Sequence, residues 1–301
     1  MITYNHEKFI REAIEGVLMQ KTDFHFELII GEDCSTDNTR NIVLEYASKY
    51  PDIIRPLLPQ KNLGMFKNFV ETLKVCKGKY IALCEGDDYW IDPLKLQKQV
   101  EYFKANQEAV ICFTNRKIID INGVVLSFDT IPDIYKRKFK TNELIGVFTP
   151  PTQTIMLKAN YLYPLVLNID KNIYNGDTYI FWYLSQFGET GYLDETTAVY
   201  RNSGMGIYSS ASSVKRLENA LKTLTELKKV LYASNKFLLN KPKMYIYFKL
   251  FVSFTKKLRL LNSIKYFSLI VWHDILHLEL NTLKAFHLLI KSIIYNKSSD
   301  D

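Results

Sequence analysis

The first 115 residues alternate between short apolar runs and segments whose apolar residues recur at helical spacing. A helix is predicted over residues 9–21, and the β-like run "FELIIGED" then precedes a second helical segment, "NTRNIVLEYASKY". The same order repeats in a strand around residues 53–57 and a helix over residues 66–75. The apolar run "KYIALCE", a helix that starts at Asp92-Pro93 and the run "AVICFTN" complete the pattern. This alternation predicts an α/β fold with a mainly parallel sheet flanked by helices.

Polar side chains follow three of the predicted strands. Tyr4 and Asn5 come after the first strand, Glu32 and Asp33 come after the second, and an acidic cluster begins at Glu85. In open α/β sheets, ligands bind beyond the carboxyl ends of the strands. We therefore expect these three pieces of the chain to converge at one edge of the sheet and to form a binding site there.

The acidic cluster lies in "CEGDDYW", where Glu85, Asp87 and Asp88 place three carboxylates within four positions at the end of an apolar strand. Like charges this close repel each other, so the cluster needs solvation, partial protonation or a positive partner such as a metal ion. Asp87 and Asp88 are therefore predicted metal ligands. The alternative is a solvated turn before the helix at Pro93, with Asp92 as the cap of that helix.

The composition is typical of a folded protein with a large core and excludes several classes. The chain has 301 residues, of which 47% are hydrophobic and 24% are charged. Its four cysteines include no C-x-x-C pair, so neither a zinc site nor a disulfide framework is predicted. The start lacks the features of a signal peptide, and no uncharged apolar stretch is long enough to span a bilayer. A cytoplasmic protein is therefore expected.

The net charge of +7 is concentrated near the end of the sequence. Residues 241–301 hold 10 Lys or Arg against 4 Asp or Glu, which leaves a net charge of +1 for the preceding residues. A nucleic-acid-binding protein more often spreads this charge over its folded body, so nucleic acid is not an expected partner. The lysines of this tail alternate with aromatic residues, which suits peripheral contact with the inner face of an anionic cytoplasmic membrane. Packing as an ordinary helical cover explains the composition equally well.

Three segments are predicted from these patterns. Residues 1–115 are predicted to form the part in which strands and helices alternate. Residues 116–210 contain shorter strands and loops, which indicates a lobe attached to the first sheet. Residues 1–210 are expected to form one catalytic domain. Residues 211–301 are expected to form a helical extension, because leucines recur there at helical spacing.

Five motifs follow one another along residues 1–206. They are "TYNHEKFIREAIEGVLMQ", "GEDCSTDNT", "KNLGM", "GKYIALCEGDDYW" and "GYLDETTAVYR". Together they resemble the family-2 glycosyltransferases, the large inverting group with the nucleotide-sugar transferase fold termed GT-A. Each motif is short, but five of them in the right order argue against a coincidental match.

The resemblance implies a set of residues that contact the nucleotide. The first motif supplies the nucleotide pocket, an acid after the second strand reads the base or ribose edge, and two residues before Gly64 lie over the nucleotide. These residues are Thr3, Tyr4, Asn5, Asp33, Lys61 and Asn62.

The resemblance also implies the catalytic acids. Asp87 and Asp88 match the metal-binding acids of the family, and Glu85 stands where many members carry the first acid of an Asp-x-Asp pattern. Glu85 and Asp87 are therefore expected to contribute to donor binding. Asp177 in "NGD" resembles the base that activates the acceptor, and its place at the N-terminus of a predicted apolar helix favours the ionised form of its carboxyl group. The alternative is that Asp177 only caps the helix.

The sequence departs from the family pattern in two places. Only Met1 and Ile2 precede "TYN", so the first strand is expected to be shortened, as in a truncated or misassigned start. Many relatives carry a His shortly after the "AVYR" segment, where this chain has Arg201-Asn202-Ser203. The role of that His is therefore expected to be missing or to pass to Ser203 or Arg201.

The family chemistry accounts for the acidic cluster. The leaving group of a nucleotide-sugar donor is a nucleoside diphosphate. A divalent cation such as Mg²⁺ or Mn²⁺ stabilises the negative charge that grows on this group as the bond breaks. The resemblance thus implies metal-dependent, inverting transfer from a nucleotide-sugar, with a UDP-sugar as the first expectation, to a hydroxyl of a glycan or lipid-linked glycan in polysaccharide biosynthesis. Two alternatives stay open: a sugar nucleotidyltransferase, although no glycine precedes Gly16, and a catalytically degenerate carbohydrate-binding protein of the same fold.

Overall fold

The chain divides into two compact units, Met1–Gly204 and Met205–Asp301. The computed structural model describes residues 1–169, 173–202, 212–256 and 259–277. The first unit combines strands and helices and is called the α/β unit below. The described part of the second is helical and is called the helical unit.

The α/β unit contains nine strands and six α-helices within its described residues. The strands are β1 (Ile2–Thr3), β2 (Leu28–Glu32), β3 (Ile54–Leu57), β4 (Tyr80–Ala82), β5 (Tyr89–Trp90), β6 (Ala109–Asp120), β7 (Val125–Ser127), β8 (Met156–Lys158) and β9 (Glu189–Asn202). The helices are α1 (Ile10–Leu18), α2 (Thr39–Lys49), α3 (Met65–Val75), α4 (Lys95–Ala105), α5 (Ala159–Val166) and α6 (Gly176–Leu184). Every strand and helix predicted over residues 1–115 is present, with ends that differ by a few residues.

The first three strands form a parallel sheet in the order β1-β2-β3. Ile2 pairs with Gly31, and Leu28 pairs with Ile54. The helix after each strand returns the chain to the same end of the sheet, which is why the carboxyl ends of β1 and β2 are neighbours. The parallel arrangement predicted from the alternation is confirmed for this part.

The second sheet is mixed rather than parallel, which corrects the expectation of a mainly parallel sheet. Its order is β4-β8-β6-β9-β5, with β7 paired to β6. β6 and β9 run parallel over most of their length, while β8 runs antiparallel to both β4 and β6. An isolated parallel bridge between Ile2 and Glu85 joins the two sheets.

Two helices show how the sequence selects its buried faces. The apolar residues of α1 recur every three or four positions, and Ile10, Ile14 and Val17 are buried. In α6, by contrast, every residue from Tyr179 to Leu184 is buried, as expected for a helix that is apolar all round. The prediction of an apolar helix after Asp177 is confirmed.

The helical unit contains three long helices in its described residues: α7 (Ser213–Val230), α8 (Asn240–Lys256) and α9 (Leu260–His277). The Oγ of Ser212 caps α7 by accepting the backbone N–H of Lys215 at 3.3 Å. Pro242 lies in the first turn of α8, where a missing N–H costs no helical hydrogen bond. Within the described residues, none of the helices has the length and apolar character needed to cross a bilayer.

Candidate active site

Residues 83–88, called the acidic loop below, follow β4 and lie against the end of β1. The backbone N–H of Gly86 donates to the carbonyl oxygen of Ile2 at 2.9 Å, and the N–H of Asp88 donates to that of Glu85 at 3.2 Å. The acid cluster, defined as Glu85, Asp87 and Asp88, therefore lies at the carboxyl end of the parallel strands. This is the edge at which the strand pattern predicted a binding site.

Asp88 is buried, and only one of its two carboxylate oxygens has a partner. Its Oδ1 accepts the backbone N–H of Arg201 at 2.9 Å, whereas its buried Oδ2 has no hydrogen-bond partner among the described residues. Burial raises the pKa of Asp88, and the charges of Asp87 and Glu85 raise it further. A buried carboxylate oxygen without a donor is suited to binding a cation.

The other two acids of the cluster differ in their burial and in the pKa of their carboxyl groups. Burial raises the pKa of Glu85 to about 8, with further contributions from the charges of Asp87 and Asp177. The side chain of Glu85 therefore belongs to the same cluster, although its direction could not be derived from strand alternation. Asp87 is partly exposed, and its Oδ2 lies 3.8 Å from Nε2 of His6.

Gly86 allows the acidic loop to approach the first motif closely. A Cβ at this position would lie 2.5 Å from Oγ1 of Thr3 and 3.0 Å from Nδ1 of His6. Both of these atoms are buried and lack a hydrogen-bond partner within the described ranges. The loop thus packs directly on Thr3 and His6, and a larger residue at position 86 would push them apart. Sequence reasoning had assigned no role to His6.

Asn5, in the first of the five motifs, is hydrogen-bonded to the turn after β2. Asn5 adopts a positive φ of 56°, and its Oδ1 accepts the backbone N–H of Thr36 at 2.9 Å. Its own N–H donates to Oγ of Ser35 at 3.0 Å. Tyr4 and Asn5 are exposed, whereas Thr3 is buried. The three residues predicted to form the nucleotide pocket therefore lie at one sheet edge, and two of them are accessible to a ligand.

Asp33 holds the segment that was predicted to lie over the nucleotide. Its Oδ1 accepts the N–H of Leu63 at 2.7 Å, and its Oδ2 accepts that of Gly64 at 2.9 Å. Nδ2 of Asn62 donates in turn to the carbonyl oxygen of Asp33 at 3.0 Å. Lys61, next to Asn62, is exposed. The structure thus brings the predicted residues Asp33, Lys61 and Asn62 together and shows what positions the loop.

Asp177 lies in the first turn of α6, near Glu85 of the acid cluster. Its Oδ1 accepts the N–H of Thr178 at 2.7 Å, and its charge contributes to the raised pKa of Glu85. Gly176 brings the start of α6 against the ring of Phe66 in α3. Burial raises the pKa of Asp177. Desolvation therefore outweighs the helix dipole, which sequence reasoning had expected to favour the ionised form.

Arg116 and Tyr200 contact each other beside the acid cluster, and no sequence motif identified either residue. The guanidinium of Arg116 lies 4.6 Å from the centre of the Tyr200 ring. Burial lowers the pKa of Arg116 and raises the pKa of Tyr200, and the charges of Asp88 and Glu85 act on both groups, so both lie near the acid cluster. Arg116 stands within an apolar strand, and only its tertiary neighbours show its direction.

Arg201 is near the acids, but its guanidinium already forms an ion pair with another side chain. Its guanidinium forms an ion pair with Glu12 and lies 4.7 Å from the centre of the Phe9 ring, and its Nε donates to the carbonyl oxygen of Asp87 at 3.3 Å. Arg201 therefore braces the acidic loop against α1. Ser203, the other residue considered for the role of the missing His, lies outside the described residues.

A divalent cation fits the acid cluster only if the substrate supplies further ligands. Within the described ranges, no group of three or more His, Cys, Asp or Glu side chains has the arrangement of a complete metal site. The buried, unpartnered Oδ2 of Asp88 and the accessible carboxylate of Asp87 are nevertheless oxygen ligands of the type that Mg²⁺ and Mn²⁺ prefer. Mg²⁺ sites commonly use one or two carboxylates together with phosphate oxygens.

The sequence matches a known family over its first half. A model of glycosyl transferase family 2 covers residues 1–161, more than half of the chain. The chain belongs to glycosyl transferase family 2. An uncharacterised protein of Mycobacterium bovis is 39% identical over 215 residues, which are 71% of this chain and 61% of that protein. The putative teichuronic acid biosynthesis glycosyltransferase TuaG of Bacillus subtilis is 32% identical over 150 residues, 49% of this chain and 58% of TuaG.

Solved structures share the fold of this family-2 chain. TarS 1–349 of S. aureus, in complex with UDP-GlcNAc, superposes with a TM-score of 0.64 at 18% identity, over 90% of this chain and 79% of TarS. The mannosyltransferase PcManGT of Pyrobaculum calidifontis, in complex with GDP-Man and Mn²⁺, gives a TM-score of 0.58 at 15% identity, over 100% of this chain and 86% of PcManGT. These comparisons confirm the predicted GT-A fold with C-terminal helices.

Proposed function

We propose that the chain transfers a sugar from a nucleotide-diphosphate sugar to a hydroxyl group of a glycan or lipid-linked glycan, with inversion at the anomeric carbon and with the help of a divalent cation. The observation that carries this proposal is the buried, unpartnered Oδ2 of Asp88 in a family-2 chain, within the described residues. The charge of Asp177 is close enough to contribute to the raised pKa of Glu85 in the same cluster. A UDP-sugar is the first donor to test, because TarS was solved with UDP-GlcNAc.

The donor is proposed to lie across the carboxyl ends of β1 and β2. Thr3, Tyr4 and Asn5 border this edge, and Asp33 holds the Lys61–Asn62 segment that would cover the base and ribose. Glu85 and Asp87 would lie beside the diphosphate. This division assigns donor binding to residues 1–115 and leaves residues 116–210 for the acceptor.

Asp87 and Asp88 are the residues that would hold Mg²⁺ or Mn²⁺. Bound there, the cation would act as a Lewis acid on the leaving diphosphate. The N–H of Arg201 fixes one oxygen of Asp88, so the other oxygen is directed without a cost in side-chain reorganisation. PcManGT, which shares the fold, was solved with GDP-Man and Mn²⁺, which supports the choice of a divalent cation.

Asp177 is proposed to remove the proton from the acceptor hydroxyl as that oxygen attacks the anomeric carbon. A raised pKa strengthens a carboxylate as a base, provided that it is ionised at the working pH. The backbone N–H of Thr178 fixes one oxygen of Asp177, which leaves the other oxygen for the hydroxyl.

The acceptor is proposed to belong to polysaccharide biosynthesis, since TuaG bears a teichuronic acid biosynthesis name. The basic helical unit is proposed to hold the enzyme at the inner face of the cytoplasmic membrane, where a lipid-linked acceptor would be available. The chain covers 61% of the length of the M. bovis relative and 58% of that of TuaG.

The test is a panel of UDP-, GDP-, TDP- and CDP-sugars incubated with the full chain, Mn²⁺ or Mg²⁺, and glycan acceptors. Release of a nucleoside diphosphate that requires the cation supports the proposal. Release of pyrophosphate from a nucleoside triphosphate and a sugar phosphate would show a nucleotidyltransferase instead. Sugar binding without turnover of any donor would show a degenerate binding protein.

A further inference from the structure

Arg116 lies close to the acid cluster but forms no ion pair with it. Its Nε donates to Oγ1 of Thr130 at 3.3 Å, and its Nη1 donates to Oε1 of Gln153 at 3.4 Å. Across the described chain, no carboxylate is in ion-pair contact with this guanidinium, and its Nη2 has no hydrogen-bond partner. A half-buried cation near several acids would normally pair with one of them. Among the described residues, no carboxylate therefore neutralises the charge of Arg116 by direct contact.

Two series of contacts connect Arg116 to the acidic loop and fix its position. On one side its guanidinium stacks on Tyr200, whose neighbour Arg201 donates its backbone N–H to Asp88. On the other side Gln153, which is 1% exposed, accepts from Arg116 and also accepts the indole N–H of Trp90 at 2.9 Å through its backbone carbonyl oxygen. The guanidinium is therefore held in place before any ligand arrives.

The chemistry of this position favours an anionic oxygen as the ligand. With a divalent cation bound to Asp87 and Asp88, the fixed positive charge of Arg116 would remain available beside them. A guanidinium binds phosphate oxygens through directional, charge-assisted hydrogen bonds, and stacking on an aromatic ring leaves its edge free to donate. The free Nη2 is such an edge.

We propose that Arg116 binds a phosphate oxygen beside the acid cluster, and that Thr130, Gln153 and Tyr200 position it for this contact. The proposal rests on the proposed function and adds a phosphate-binding residue to it. Two phosphates could supply the oxygen: the β-phosphate of the donor and a phosphate carried by the acceptor.

The experiment compares the affinities of the full chain for UDP and UMP, and for GDP and GMP, by titration calorimetry with Mn²⁺. The Arg116→Gln variant is expected to lose about 10- to 100-fold in affinity for the diphosphate and little for the monophosphate, if the β-phosphate is the ligand. Lys117→Gln is the matched control, because it removes the same charge from the next residue of β6.

A second arm tests the acceptor side. In protein saturated with the preferred diphosphate and Mn²⁺, octyl phosphate is titrated as a simple alkyl phosphate. Loss of its binding in Arg116→Gln, with unchanged diphosphate affinity, would assign Arg116 to an acceptor phosphate. If Arg116→Gln binds both the diphosphate and octyl phosphate as tightly as the wild type does, the inference is wrong, but the proposed function is unaffected. Failure of the wild-type chain to bind any nucleoside diphosphate would overturn the proposed function and the inference together.

Discussion

The backbone N–H of Arg201 donates a 2.9 Å hydrogen bond to Oδ1 of Asp88, although the two residues are 113 positions apart. This contact joins the end of β9 to the acidic loop and fixes one carboxylate oxygen. The second oxygen is buried and has no hydrogen-bond partner in the part of the chain that the structure describes. The two oxygens of Asp88 therefore have different tasks: one anchors the loop, and the other is available to a cation.

Asp88→Asn separates these tasks. The asparagine can still accept the N–H of Arg201 through its carbonyl oxygen, so the variant should fold normally, but it lacks the second anionic oxygen. We expect turnover to fall by at least about a hundredfold, because stabilisation of a leaving group by a metal ion contributes several kcal/mol. Steady-state kinetics and Mn²⁺-dependent binding of nucleoside diphosphate measure the effect.

Asp92→Asn is the matched control for Asp88→Asn. Asp92 lies four residues further along, where its Oδ1 accepts the N–H of Leu94 and its Oδ2 forms an ion pair with Lys98. This variant should keep wild-type turnover. Wild-type turnover of Asp88→Asn, or full activity in excess EDTA, would exclude the proposed cation site.

Lys95 predicts a measurable pH dependence of stability. Its ammonium group is fully buried, donates to Oε1 of Gln99 at 2.7 Å and lies 4.4 Å from the centre of the Trp90 ring. Burial lowers the pKa of Lys95 to about 8. Between about pH 8 and the ordinary lysine pKa of about 10.4, the unfolded chain therefore binds a proton that the folded chain has released. This group makes the free energy of unfolding rise with pH across that window, by up to about 3 kcal/mol.

The thiols near Lys95 act in the opposite direction. Burial raises the pKa of Cys84 and of Cys112, so their contribution to stability falls as the pH rises above about 8.5. Comparison of the wild type with Lys95→Met isolates the lysine. Denaturant unfolding at pH 7.5 and pH 10 should show that the variant gains less stability, or loses more, than the wild type over this interval. Equal changes in both proteins would contradict the lowered pKa.

The sequence predicts the elements well where local spacing decides them, and less well where distant segments meet. α1 to α4 follow from apolar spacing, and the acidic loop follows from its place after an apolar strand. The long parallel pairing of β6 with β9 has three register shifts and brings together segments about 80 residues apart, so no local pattern predicts it. The mixed second sheet depends on this pairing.

The same distinction applies to the site. Asp33, Asp87, Asp88 and Asp177 could be selected from motifs, whereas the contacts that position them could not. Arg116 was missed because its role depends on Thr130 and Gln153, which are 14 and 37 positions away. The pKa of Asp177 was expected to follow the helix dipole, but burial, which a sequence does not show, has the larger effect.

The helical unit has an apolar stripe that predicts binding to anionic membranes. On α9, Leu261 is 85% exposed, Ile264 is 63% exposed and Trp272 is 62% exposed, and Lys265 lies on the same face. α8 contains no Asp or Glu. Apolar side chains flanked by lysines suit insertion at an anionic lipid surface. The full chain should sediment with phosphatidylglycerol vesicles and less with phosphatidylcholine vesicles.

Two changes test this surface. Trp272→Glu, or deletion of residues 241–301, should reduce sedimentation with anionic vesicles at least about tenfold, since both apolar contact and charge attraction are weakened. Phe128→Glu is the control, because it places the same type of substitution on a 75% exposed apolar residue of the α/β unit. Equal binding to both vesicle types, or no effect of Trp272→Glu and of the deletion, would leave the stripe without a lipid role.

Asp177→Asn decides whether the chain uses a carboxylate base. The introduced asparagine can still accept the N–H of Thr178, so the start of α6 should be preserved and the donor should bind with its metal ion. The carboxamide cannot take the acceptor proton, and we expect transfer to fall by at least about a hundredfold. Asp133→Asn, at an exposed position of the same unit, is the control.

The pH profile gives a second readout of the same base. Because burial raises the pKa of Asp177, wild-type kcat/KM should decline as the pH falls through a value above the ordinary aspartate range, where the base becomes protonated. The residual activity of Asp177→Asn should lack the part of this decline that Asp177 causes, whereas any part caused by Glu85 or Asp88, whose pKa values burial also raises, should remain. Near-normal transfer by the variant would restrict Asp177 to capping α6 and would require another base.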